Sequence, residues 1–484
     1  MDTSSPTGFA PAGIAADPDL LNAVTAYVVR NEPLDAANTR TAALTLMDAL
    51  ACLTGSLAEP PPLLGPLFKG ARGEGARVPG TALEADPAKA AFDISLLIRW
   101  LDFSDTSILG GHPSDNIGAI LATAEYRSRQ EMRAGRAPLV MDDVFRAMRT
   151  AYEIQGCLAS NRLDSRDVGL DHVIYVKLAS AAVAALLMGG GARQIRSALS
   201  NAVLDGHSLN AYRHAPNIGA RKGWAGADAS SRGMILAAMA MKGEAGYPDP
   251  LGAETWGFEA VYVGGRKLRL GRRLQGFFLD RVIFKLVPCQ RNGSTAVEAA
   301  IRLHNWFRAH DFAARGIEIV TQDEAMRRIV TTGPLPNSAA RDHCLQYMVA
   351  VALLNGKLTA SAYSDAAAAD PRIDVLRACM EVTESPAYSR AHHDPAIGSC
   401  TNAVRITAMD GAISDLVEVE YPIGDPLRRD EAVPLLNAKF RDLAASVWDA
   451  GRQDEILALF ADPERLAAMT VPDFMDRVTE APDG

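Results

Sequence analysis

Two histidines stand where the sequence begins a helix. His112 precedes Pro113 and the run "NIGAILATAEY", for which Ser114 or Asp115 is a natural N-cap. Asp171 is the expected N-cap of the later run "VIYVKLASA", and His172 opens that helix. The positive end of a helix dipole disfavours an imidazolium, so a ring held there stays neutral and can take a proton or hydrogen-bond a carboxylate. Either ring, taken alone, serves equally well to hold backbone groups in a capping loop. Two such placements in a chain with nine histidines point to a shared site.

Cations gather in two further stretches. "NAYRHAPNIGARKGWAGADASSRG" carries Arg213, His214, Arg221 and Lys222 among small residues, which makes either a solvated basic loop or a pocket for a multiply charged anion. "DRVIFKLVPCQRNGSTAVEAA" sets Lys285 inside an apolar run, with Arg291 after it. Lys285 either alternates outward from a strand or points inward, where it needs a carboxylate partner. Finally, "RWLDFSDTSILGGHPSDN" (Arg99–Asn116) mixes three aspartates, an arginine and a histidine with Trp100, Phe103 and Ile108. A surface loop does not need those aromatics, and a core segment does not want those charges.

The elements that must position these groups are mostly helical from about Asp19 to Tyr262. "NTRTAALTLMDALACLTGSL", "PAKAAFDISLLIRWLDF", "MDDVFRAMRTAYEIQGCLA" and "DHVIYVKLASAAVAALLMGGG" repeat apolar residues at helical spacing, with "AEPPPLLGPLFKGARGEGARVPGT" as a Pro/Gly loop. After about residue 275 the character changes. "IEIV" reads as a strand, and "NAVRITAMDGAISDLVEVEY" as two strands around the turn pair Asp410-Gly411. The expected fold is mainly α. A large helical domain covers 1–275, an α+β domain covers 280–425, and the tail from 430 to 484 returns to the helical domain.

The 484 residues are 48% hydrophobic but only 6% aromatic, which favours closely packed, alanine-rich helices. A net charge of −9 with no long basic run argues against nucleic acid as a partner. Cys52, Cys157, Cys289, Cys344, Cys379 and Cys400 show no CxxC or CxH spacing, so no zinc, iron–sulfur or disulfide framework is expected. They read as free thiols in a reducing compartment. The N-terminus reads as a flexible tail and not a signal peptide, and no apolar stretch is long enough to span a bilayer. Gly189–Gly191 and "VGGRK" lack a nucleotide-binding fingerprint.

A series of stretches in order, among them "IRWLDFSDT", "GHPSDNIGAILATA", "VGLDHVIYVKLAS", "YRHAPNIGARKGWAGADASSRG", "STAVEAA", "RDHCLQYMVAVALLNGKLTA" and "VEVEYPIGDPLRR", resembles the MmgE/PrpD superfamily and, within it, the 2-methylcitrate dehydratases. The resemblance covers nearly the whole chain. It implies a large all-helical domain with a smaller α+β lid, active-site residues between the two, no cofactor and no metal. A homodimer is also implied, soluble and intracellular, in the cytoplasm or an organelle lumen. It places the site on Asp102, Thr106, His112, His172, Lys222 and Lys285. "RWLDFSDTSILGGHPSDN" then becomes a pocket wall, with charges toward substrate and aromatics toward the core.

The implied reaction is a hydro-lyase step on a citrate-type tricarboxylate, giving an alkyl-cis-aconitate. A proton leaves a carbon beside a carboxylate and the neighbouring tertiary hydroxyl departs. Lys222, Lys285 and Arg213 would hold the developing charge. His112 and His172 would supply base and acid, Asp102 would orient a histidine or lysine, and Thr106 would bind a carboxylate. His214 and Arg291 complete the expected anion pocket. Two stretches depart from the dehydratase pattern: Ser107–Gly111 is short and lacks tryptophans, and Gln290, Arg291 and Asn292 replace a glutamate, an aromatic and a histidine. Lost bulk beside a pocket predicts room for 2-alkylcitrates longer than 2-methylcitrate, unless neighbouring groups refill the space. Cis-aconitate decarboxylation and diacid epimerisation on the same scaffold are the alternatives, with a non-catalytic helical binding protein more remote.

Overall fold

The computed structural model describes residues 19–68, 75–109, 111–214, 216–394 and 397–479. The expected N-terminal tail, the middle of the Pro/Gly loop and Gly110 of the Ser107–Gly111 stretch lie outside the described residues. The protein is mainly α and forms two compact units. The described residues of one fall within 12–211, 223–283 and 435–484; those of the other fall within 212–222 and 284–434.

The larger unit is built on helices that include Ala36–Ser56, Pro87–Trp100, Ile117–Arg133, Met141–Ala159 and Val173–Leu187, with a two-residue antiparallel ribbon of β1 (Ala76–Arg77) and β2 (Glu84–Ala85). Small side chains let these helices approach closely: Val173–Leu187 buries every residue except Leu186. Caps follow the local sequence. Asp35 accepts a hydrogen bond from the Asn38 amide at 2.8 Å, and Asp86 caps a helix whose first residue is Pro87.

Two expected caps differ. Ser114 and Asp115 lie inside a 3-10 turn, Pro113–Asn116, for which His112 is the N-cap; Asn116 then leads into Ile117–Arg133. Pro113 accounts for the earlier start, because its fixed φ favours the first position of a helical turn. The later helix starts one residue further on than expected: His172 is the N-cap of Val173–Leu187, and Asp171 accepts from the Val173 amide at 3.2 Å.

The smaller unit is α+β. Its four-stranded sheet has the order β4 (Met380–Glu384), β3 (Ala314–Thr321), β5 (Asn402–Ala408), β6 (Val417–Val419). β3 pairs parallel with β4 and antiparallel with β5, which pairs antiparallel with β6. Ile317 and Ile319 of β3 turn inward with Val404 and Ile406 of β5, under helices Ser294–Arg308 and Leu345–Asn355. On the opposite face Glu318 meets Arg405 across the strands at 2.9 Å. The turn at Asp410-Gly411 is present: Gly411 has φ +90° and the Asp410 carboxylate accepts the Ala412 amide at 2.9 Å. β4 was not expected from the sequence. All six cysteines are free, and among the described residues no helix is long and apolar enough to cross a membrane.

Candidate active site

In the larger unit the helix Pro87–Trp100 ends directly before the stretch that carries Asp102, Asp105, Thr106 and His112. Asp102 has φ +49°, a left-handed backbone uncommon for a residue with a side chain. Its carboxylate accepts from Arg99 Nη1 at 2.7 Å and lies 3.7 Å from His112 Nε2. His112 Nδ1 lies 2.7 Å from the Asp105 carbonyl, which can only accept, so Nδ1 carries the proton. Nε2, beside Asp102, is then the atom that gains or loses a proton.

His172 is the second ring of the set, 6.1 Å from His112 between centroids. Its Nδ1 is 3.0 Å from Asp171 Oδ1, and its buried Nε2 has no hydrogen-bond partner among the described residues. Gly111 permits the approach. It has φ +76°, and a Cβ there would stand 3.1 Å from both the His172 ring and Gln155 Nε2. Thr106 braces the same loop. Its hydroxyl donates to the Gly111 carbonyl at 2.9 Å, and its amide and carbonyl pair with Ile283.

The charges of "RWLDFSDTSILGGHPSDN" are buried, not solvated: Arg99, Asp102, Asp105 and Asp115 are each less than 5% exposed. Phe103 is buried and Trp100 packs over Gly223. Beneath them Lys439 donates to Asp48 Oδ1 at 2.6 Å and to the Phe103 carbonyl at 2.7 Å, with its ammonium 3.8 Å from the Phe103 ring centre.

Asp105 was not singled out by sequence, yet it closes the loop at both ends. Its carbonyl holds the His112 ring, and its carboxylate accepts the Ser114 amide at 3.1 Å and the Tyr152 hydroxyl at 2.7 Å. Burial pushes its carboxyl up to about 6, against the Ser114 and Tyr152 hydrogen bonds that pull it down. The folded state therefore binds this proton more tightly than the unfolded chain does. Stability from this group is greatest below the unfolded pKa of about 4 and falls as pH rises to about 6. Asp105→Asn is expected to remove that dependence. Thermal melts of both proteins across pH 4 to 7 should show wild type losing ground to the variant over that window; a constant difference would assign the proton elsewhere.

The smaller unit holds the cations. The loop before Lys222 is closed by Gly219 N to Tyr212 O and Lys222 N to Gly219 O, at 3.4 and 3.2 Å. Arg213 and Arg221 are half-buried, each 5.3 Å from the centre of the Tyr212 ring, and His214 is exposed. Lys222 itself is buried, so it is not part of a solvated basic loop. Its ammonium donates to both oxygens of Asp342, at 2.6 Å to Oδ1. His343 Nδ1 lies 2.6 Å from the same Oδ1.

Lys285 is also buried, which excludes the outward alternative. Its neighbour Phe284 donates to the Gly424 carbonyl at 3.0 Å. Arg291 stands near His392, whose ring is pushed down to about 4 by burial and then by the Arg291 charge. Asn292 is buried, and its backbone is engaged on both sides. Its carbonyl accepts from Asn402 at 2.9 Å and Gln322 at 3.4 Å, and its amide donates to Gln290 at 2.7 Å.

The larger unit brings Asp102, His112 and His172 together with the loop that Thr106 braces, and the smaller unit carries Lys222, Lys285, Arg213, His214 and Arg291. Sequence reasoning missed Asp105, Asp342 and His343. The available signal for the last two was their place in "RDHCLQYMVAVALLNGKLTA", one of the motif stretches.

Comparison with known proteins bears on what this arrangement is for. The model of the MmgE/PrpD N-terminal domain matches residues 23–271, and that of the MmgE/PrpD C-terminal domain matches residues 287–464. The 2-methylcitrate dehydratase of Cupriavidus necator is 46% identical over 488 residues, 98% of this chain and 99% of that protein. The 2-methylcitrate dehydratase of Escherichia coli K12 is 44% identical over 459 residues, 93% of this chain and 95% of that protein. The 2-methylcitrate dehydratase-like protein oryR of Aspergillus oryzae is 39% identical over 419 residues, 83% and 82% of the two chains. With both domain models matched in order along one chain, the protein belongs to the MmgE/PrpD family.

Proposed function

We propose that the protein is a hydro-lyase that dehydrates 2-methylcitrate to the corresponding cis-aconitate, as a soluble intracellular homodimer without a metal or other cofactor. The observation that carries the reaction is the 46% identity over 98% of this chain and 99% of a 2-methylcitrate dehydratase. The geometry suits the chemistry. The substrate carbon acid is weak and hydroxide leaves poorly, so one group must take a proton, another must give one to the departing hydroxyl, and cations must balance the transient charge.

His112 and His172 are the proton-transfer groups, each with Nδ1 held and a carboxylate at hand to stabilise its imidazolium. Asp102 orients His112. Lys222, Lys285, Arg213 and Arg291 are the candidate counter-charges, with His214 at the exposed edge of the Lys222 loop. The Thr106 hydroxyl serves the loop first, through Gly111.

Chain length of the substrate is the finer question. The backbone of Asn292 is held by Asn402, Gln322 and Gln290, which fixes the course of the chain where bulk is expected to be lost. The relatives named 2-methylcitrate dehydratase favour 2-methylcitrate over longer homologues. With chelator present, absorbance of the conjugated product and NMR of the mixture should show water loss, with kcat/KM falling from the 2-methyl to the 2-butyl and 2-hexyl compounds. A rise with chain length would assign an alkylcitrate dehydratase. Release of carbon dioxide or inversion without water loss would assign one of the alternative family activities.

A further inference from the structure

Beyond the expected site residues, one cluster of the smaller unit is built as a single device. Lys222 and Asp342 are 7% and 8% exposed, and His343 is only slightly more open. Two donors converge on one oxygen: Lys222 Nζ and His343 Nδ1 both lie 2.6 Å from Asp342 Oδ1, and 3.4 Å from each other. An unprotonated Nδ1 would set a lone pair against a carboxylate oxygen at that distance, so the His343 proton sits on Nδ1 and Nε2 is the titrating atom.

The backbone here does not need the carboxylate. The Asp342 amide donates to Ser338 O at 3.1 Å, and its carbonyl accepts from Gln290 at 3.3 Å. Arg341 is anchored on the Tyr363 carbonyl at 2.7 Å. The side chain of Asp342 meets both Lys222 and His343.

We propose that Asp342 is a positioning residue for the reaction, fixing the direction of the Lys222 ammonium and the tautomer of His343 through one carboxylate. The kinetic side of this rests on the dehydratase reading above. A lysine chain has several rotatable bonds, and an ammonium that must meet an anion in one geometry gains from being held before the anion arrives. In Asp342→Asn one oxygen becomes an NH2 group, which cannot accept from Lys222, and the two donors then compete for the oxygen that remains.

The test is a double-mutant cycle on the full-length protein with 2-methylcitrate. Asp342→Asn should lower kcat by roughly tenfold to a hundredfold with KM little changed. In a Lys222→Met background the same change should cost less than about twofold more, because its effect passes through Lys222. Full additivity of the two losses would overturn the proposal. Lys222→Gln replaces Lys222→Met if that variant does not fold. A readout independent of turnover separates failure here from failure of the reaction assignment. In 15N-histidine NMR spectra, His343 should be the Nδ1–H tautomer in wild type and a tautomer mixture in Asp342→Asn. An Nε2–H tautomer in wild type, or no change on substitution, would overturn the proposal whatever the substrate.

Discussion

His172→Ala is expected to lower kcat on 2-methylcitrate by at least about a hundredfold, the range for loss of an acid–base group. The thermal midpoint should move little. The ring nitrogens of His172 make no long-range hydrogen bond among the described residues: Nδ1 meets the side chain of its own neighbour, Asp171, and Nε2 has no partner there. The Asp171 carboxylate keeps the Val173 amide when the ring is gone. The helix Val173–Leu187 is held by its buried face and not by its first residue. Lys222→Ala would be a less clean experiment, since it strips a buried carboxylate of its counter-ion and risks stability along with chemistry. Steady-state rates and melting curves of the same preparation decide the matter. A variant with near-normal kcat and an unchanged melt would remove His172 from the chemistry.

Gly424→Ala is expected to destabilise the smaller unit by about 3 kcal/mol or more, well above the usual cost of adding one methyl group to a tight site. A Cβ at this position would fall 1.7 Å from the carbonyl oxygen of Phe284. That contact is to backbone, which cannot rotate away as a side chain can. The same pairing, Phe284 N to Gly424 O, places the residue before Lys285, and the Arg429 guanidinium lies 4.5 Å from the centre of the buried Phe284 ring. The variant should therefore lose activity as well as stability, with the Lys285 segment freed. Denaturant titration followed by limited proteolysis should show cleavage between residues 280 and 290 well before the rest of the chain. A loss below about 0.5 kcal/mol would mean that the two segments separate without cost, and that the position of Lys285 is set by something else.

Much of the scaffold was readable because its signals are local. "MDDVFRAMRTAYEIQGCLA" is the observed helix Met141–Ala159 from end to end, and Asp410-Gly411 carries its own turn chemistry. β4 escaped because Met380–Glu384 is a short edge strand with two glutamates, whose parallel partner lies far back in the chain. The site divides in the same way. His112 and His172 announced themselves by helix starts. Asp342 did not, because what gives it meaning is Lys222, 120 positions away, and no spacing rule spans that interval. Asp105 was hidden differently. It stood among three aspartates in one charged stretch, all of them buried, and its hydrogen bonds to Ser114 and Tyr152 appear only in the folded chain.

The Lys439–Asp48 pair sets an order on the making of this protein. The two residues are 391 positions apart, and both are buried. On the ribosome Asp48 emerges early and must wait for nearly the entire chain before its counter-charge appears. Until then the interior of the first helices contains an acid that cannot be left ionised without large cost, and the Phe103 carbonyl lacks its donor. The stretch from Asp102 to His112 thus gains its floor late, although its own residues were among the first made. A chain ended short of Lys439 is expected to fail as a folding unit before it fails as a catalyst, and to meet quality control as an unfinished core.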